Sequence, residues 1–194
     1  MRILLAISRA IDQLNEKIGH LVYWLILLAV IISAGNAVAR KLFNISSNAF
    51  LEVQWYLFSA VFLLGAGYTL LRNEHVRIDV LSARFSPRAR TWIDILGTVF
   101  FLLPVAILIL WLSWPMFMES LARHEVSVDA GGLLRWPVKL LVPTGFLLLS
   151  LQGLSELIKR VAFLLGIAPD PGARAKSHGV EAHVVEHPKD GQSR

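Results

Sequence analysis

Four runs of mostly apolar residues decide what this chain can fold into, because each is about as long as the roughly 20 residues needed to cross a bilayer. They lie at about residues 20–39, 50–71, 92–114 and 136–158. The first carries no Asp, Glu, Lys or Arg. The second has Glu52 and Gln54 near its start, the third has Asp94 near its start, and the fourth has Lys139 and Glu156 near its two ends. Lipid offers no partner to backbone N–H and C=O groups, so a spanning segment must satisfy them internally. The runs lack period-two alternation and are about twice the length of a barrel strand, which leaves helices. The expected fold class is an all-α integral membrane protein with four transmembrane helices. Pro104 and Pro143 fall inside the third and fourth runs and should kink them, since each removes a backbone donor. Trp24, Trp55, Trp92, Trp111, Trp114 and Trp136 sit mostly near run ends, where aromatic belts form.

Composition supports this and removes other classes. Of the 194 residues, 55% are hydrophobic and 17% charged, against about a quarter charged in soluble domains. There are no cysteines, which excludes disulfides, thiolate catalysis, iron–sulfur clusters and Cys-based zinc sites. No histidine lies mid-span, so a haem held between helices is not expected. The sequence points to no cofactor and no metal. The formal net charge is +5, but the basic residues sit between apolar runs. Lipid headgroups and topology, not nucleic acid, are their expected partners. Most Lys and Arg fall before run one, between runs two and three, and after run four. The positive-inside rule then puts both termini in the cytoplasm.

Three regions follow. Residues 1–18 place Ile3, Ile7, Ile11, Leu14 and Ile18 at helical spacing; this predicts an N-terminal amphipathic helix whose apolar stripe meets either the headgroup plane or a partner protein. Residues 19–165 form the four-helix membrane domain. Residues 166–194 are rich in Pro, Gly, Ala and charged side chains and read as a disordered C-terminal tail, cytoplasmic by the same rule. Its His178, His183 and His187 have no framing turn or helix signal, so a solvated tail is favoured over a ligand set. Ala37-Val38-Ala39 resembles a signal-peptidase site, yet the preceding run is too long for a signal peptide and anchoring is expected.

An ionisable residue within a span is a functional hypothesis by default. Glu52, Asp94, Lys139 and Glu156 all fall within about two turns of a span end, where pairing or reaching the interface is the expected role. Glu52 is the best candidate for handling a proton or substrate, because Gln54 lies nearby. Gly65 and Gly67 would let another helix approach the second span closely.

The segment from Glu52 to Gly97 is the most specific. It contains Phe62-Leu63-Leu64-Gly65-Ala66-Gly67-Tyr68, then Asn73-Glu74-His75-Val76-Arg77-Ile78-Asp79-Val80-Leu81, then Phe85-Ser86-Pro87-Arg88-Ala89-Arg90 and Trp92-Ile93-Asp94. This ordered set resembles the DctQ-like small membrane subunit of tripartite ATP-independent periplasmic (TRAP) transporters, over roughly residues 10–165. The resemblance implies four spans with cytoplasmic termini in a bacterial inner membrane. It also implies a large membrane subunit and a periplasmic substrate-binding protein as partners, and sodium-coupled uptake of an organic acid. It makes Glu52, Gln54, Arg72, Glu74, His75, Arg77, Asp79, Arg90 and Asp94 structural or interface candidates, and places substrate selection in other subunits. Ile78, Val80, Leu81 and Phe85 suggest a short interfacial helix between spans two and three. Two other readings stand beside it: a stand-alone small multipass transporter, and an integral membrane enzyme using Glu52 or Asp94 as general base.

Overall fold

A computed structural model describes residues 2–43, 48–72, 86–129 and 132–169. Four helices long and apolar enough to cross a membrane account for nearly all of these: α1 (Arg2–Phe43), α2 (Asn48–Arg72), α3 (Pro87–Ala122) and α4 (Trp136–Leu164). They alternate in direction. Residues 8 and 15 of α1 face residues 155 and 152 of α4, and residue 94 of α3 faces residue 160 of α4. α4 touches all three other helices and buries the largest share of its length, whereas α3 packs chiefly on α4. The bundle has a terminal end, where α1 begins and α4 finishes, and a hairpin end, where α3 turns into α4.

The helix interfaces are lined by small and polar side chains, and the large apolar ones face outward. Buried positions include Ala29, Ala60, Ala106, Ser113, Ser150 and Ala162, while Trp24, Trp55, Trp92, Trp111 and Trp114 are all more than half exposed. This is the membrane arrangement: lipid tails are as apolar as leucine, so close backbone approach drives helix association. Gly145 shows it, because a Cβ there would lie 2.7 Å from the backbone oxygen of Leu63 on α2. Gly67 is equally tight, with Asn15 of α1 on one side and Leu148 of α4 on the other; Gly65 is not, its nearest neighbour, Val22, lying at an ordinary 3.8 Å. Of the two glycines expected to admit a helix, only Gly67 is needed for it.

No break separates residues 2–18 from the first span; α1 is one helix of 42 residues. The apolar stripe of this part faces away from the bundle. Ser8, Asn15 and Gly19 are the buried face, and Ile3, Ile7 and Leu14 are exposed. α3 outlasts its expected end at residue 114 by two turns and carries a second internal proline, Pro115. It also contains a π-helical stretch, Thr98–Leu102, closed by the Leu103 N–H bonding to the Thr98 carbonyl. The widened turn lies just ahead of Pro104, whose ring would otherwise crowd the carbonyl four residues back. Its effect is a change of phase. Thr91 and Thr98 are buried seven apart, then Ala106, Ser113 and Ser120 seven apart, with eight residues across the join. The tail beyond residue 169 and the segment 73–85 lie outside the described residues.

Candidate functional site

Ionisable side chains gather at the two bundle ends, and each end is built differently. At the hairpin end, α3 stops in a two-bond C-terminal motif: the Glu125 N–H bonds to the Ser120 carbonyl at 3.1 Å and the His124 N–H to the Leu121 carbonyl at 3.3 Å. His124 takes the left-handed conformation this motif requires, with φ 47°. The chain then folds back through an isolated antiparallel bridge, Val126 to Leu134. The Ser127 N–H bonds to Leu133 O at 2.9 Å and the Arg135 N–H to Glu125 O at 2.8 Å. Glu52, from the second turn of α2, reaches into this hairpin. It accepts the Ser127 hydroxyl and the Leu133 N–H, the latter at 2.7 Å. One turn on, the Tyr56 hydroxyl donates to Leu134 O at 3.0 Å.

Glu125 anchors the other side of the hairpin to α4, paired with Lys139 and, at 3.8 Å, with Arg135. The Lys139 ammonium holds the Glu125 carboxyl below its ordinary range, since it favours the charged form.

At the terminal end a string of alternating charges crosses three helices. Asp12 of α1 meets Lys159 of α4 at 3.1 Å; Lys159 also meets Glu156 at 2.5 Å; Glu156 lies 3.5 Å from Arg160; and Arg160 reaches Asp94 of α3 at 3.2 Å. The fourth helix joins through Arg72 of α2, which pairs with Glu16 of α1 and lies over the Tyr68 ring. Behind the string runs a buried polar seam. The Ser8 and Ser155 hydroxyls bond at 2.7 Å, Asn15 donates to the Gln152 side-chain oxygen at 2.9 Å, and Asp12 accepts from Ser155 at 2.7 Å and Gln152 at 3.0 Å. Gln152, Asn15 and Ser155 are fully buried.

The expected site residues thus divide. Arg72 and Asp94 join the terminal-end network and Arg90 lies beside it, on the first turn of α3. Glu52 sits at the opposite end. Gln54 is buried, and two helical positions from Glu52 it points to another face; the two are not brought together. Glu74, His75, Arg77 and Asp79 lie outside the described residues. Sequence reading missed Ser8, Asp12, Asn15, Gln152, Ser155 and Arg160. Their signal was present as two spaced polar stripes, 8, 12, 15 and 152, 155, 159, each on one helical face. Among the described residues no group of three or more His, Asp or Glu is placed to hold a metal ion.

The family described as tripartite ATP-independent periplasmic transporters, DctQ component, matches residues 28–163. The chain belongs to the DctQ family. The match covers well over half of the chain, and with it the last 16 residues of α1, all of α2, α3 and the hairpin, and α4 as far as Phe163. No curated protein and no solved structure matches the chain. A DctQ protein is the small membrane component of a TRAP transporter, and the four spanning helices fit that place. The half of α1 carrying Ser8, Asp12 and Asn15 precedes the matched region, while their partners on α4 lie within it.

Proposed function

We propose that this DctQ chain is a non-catalytic framework subunit, supporting sodium-coupled uptake of an organic acid that a periplasmic binding protein delivers to the larger membrane subunit. Both termini face the cytoplasm, as the distribution of Lys and Arg argues. One observation carries the reading: the charged groups near the span ends are engaged between elements of this chain. Glu52 binds the hairpin, Asp94 binds Arg160, and Arg72 binds Glu16. A general base or carrier carboxylate needs a free lone pair facing a substrate path; these carboxylates serve as clamps. We assign to His75, Arg77 and Asp79 the fastening of this chain to the large subunit.

Uptake measured in cells lacking the chain, with and without its return on a plasmid, tests the proposal. Loss and recovery of uptake are expected, and uptake that survives deletion would overturn it. Substrate accumulation in liposomes holding this chain alone would favour the stand-alone transporter instead. Asp79→Ala and Arg77→Ala should each lower recovery of the large subunit with the tagged chain; undiminished recovery from both refutes the fastening role.

A further inference from the structure

In its terminal half, α1 binds its polar side chains to its neighbours. Ser8 bonds to Ser155, Asn15 to Gln152, and Glu16 pairs with Arg72. The same kinds of residue recur in the half nearer the hairpin end, and there they are unbonded. None of Ser33 and Asn36 on α1 and Gln54 on α2 hydrogen-bonds a described residue through its side chain.

Register brings the three to one seam. On α2, Gln54, Val61 and Tyr68 recur every seven residues and share a face. Tyr68 shows where that face points: it packs on Gly19 of α1, where a Cβ would lie 2.4 Å from its ring. The two helices are antiparallel, so Gln54, fourteen residues before Tyr68, lies level with Ser33, fourteen residues after Gly19. Asn36 continues the inner series Ser8, Asn15, Val22 and Ala29 at the same spacing.

Along this stretch α1 leaves the seam open. It buries nothing past Ala29; Ser33 and Ala37, four apart, are exposed and Asn36 is half-buried. Gln54 is only 9% exposed, and that remainder includes its amide. An amide so far withdrawn from water needs a hydrogen-bonding partner. Acyl chains carry no such group, so lipid does not complete this seam. Small residues four apart beside hydrogen-bonding side chains are the surface on which membrane helices meet. The hydroxyl and the two amides are uncharged, and each both donates and accepts, so the group they fit is another hydroxyl or amide.

Resting on the reading of this chain as one membrane component of a larger transporter, we infer that a transmembrane helix of the large subunit packs along Ser33 and Ala37 and sets an uncharged hydrogen-bonding side chain against Gln54 and Asn36.

Gln54→Met keeps the length of the side chain and removes the amide. In the purified chain it should hold or raise the unfolding midpoint, because no bond within the chain is lost. A lower midpoint would show the amide already satisfied there and overturn the inference. In membranes co-expressing the tagged large subunit, Gln54→Met and Asn36→Leu should each cut recovery of the chain several-fold, while Phe62→Leu, on the exposed side of α2, should not. Wild-type recovery from both seam variants, as a water-filled seam would give, overturns the inference and leaves the framework role standing. Ser33→Cys tests the position directly, with the wild-type chain, which has no cysteine, as the blank. Coupled to benzophenone-maleimide and irradiated, it is expected to give one adduct with the large subunit. An adduct of twice the chain's own mass would assign the seam to a second copy and overturn the inference. So would the absence of any adduct while the wild-type complex still copurifies. Failure of the wild-type chain to copurify with the large subunit removes the framework role as well.

Discussion

At the scale of single residues, backbone proximity is the strictest constraint. Gly145→Ala would press a methyl to 2.7 Å from the Leu63 carbonyl oxygen, and neither backbone can yield without separating α2 from α4. We expect a loss of about 1–3 kcal/mol, read from unfolding in mixed detergent. Gly35→Ala, where a Cβ meets nothing within 4 Å, should gain or hold stability. His124 is the converse case. A side chain with a Cβ in the left-handed region costs about 1 kcal/mol, so His124→Gly should stabilise the fold by about that much and raise the unfolding midpoint. The sequence shows which residues are glycine but not which of them are crowded. Gly65 and Gly67 look alike in the run Leu64-Gly65-Ala66-Gly67, and only Asn15, 52 positions earlier, tells them apart.

At the scale of elements, the hairpin between α3 and α4 depends on two carboxylates. Glu52→Gln keeps the shape but weakens acceptance from Ser127 and the Leu133 N–H, because hydrogen bonds to a charged acceptor are the stronger ones. Faster amide exchange over residues 126–134, with α2 unchanged, is the expected reading. Glu125 adds a pH dependence. Its carboxyl titrates lower in the folded protein than in the unfolded chain. Its contribution is thus complete above the ordinary glutamate value of about 4.3 and fades as the pH falls through the lower folded value. Protection of the hairpin should drop in that acid window, and Glu125→Gln should make the drop smaller, leaving the part that belongs to Glu52. Helix number and approximate spans were legible because a bilayer demands length and apolarity over contiguous residues. The polar half of α1 was not. Its apolar stripe was read as meeting headgroups or a partner protein, and the hydrogen-bonding side chains that make its close contacts within the bundle were not singled out.

At the scale of the molecule, the terminal-end network ties α1, α2 and α3 into α4 at one level. Asp12 has three partners in it, Ser155, Gln152 and Lys159. Asp12→Ala should strand buried donors at a cost on the order of 2 kcal/mol, seen as a lower unfolding midpoint and as proteolytic release of the first turns of α1. The two polar stripes could be read from the sequence but their pairing could not, since the partners stand some 140 residues apart and meet only once the helices are antiparallel. The π turn carries a different message, about descent. Because it adds one position to an otherwise regular seven-residue pattern, α3 is a seamless helix plus a single inserted amino acid. Removing Val99 should restore the uninterrupted rod and leave the same side chains turned toward α4, with normal yield in size-exclusion chromatography. Removing Ile109, below the insertion, should rotate the last turns out of register and abolish the folded peak. An alignment gap between positions 98 and 102 is therefore architecturally silent, while the same gap anywhere else along this rod would turn part of it inside out.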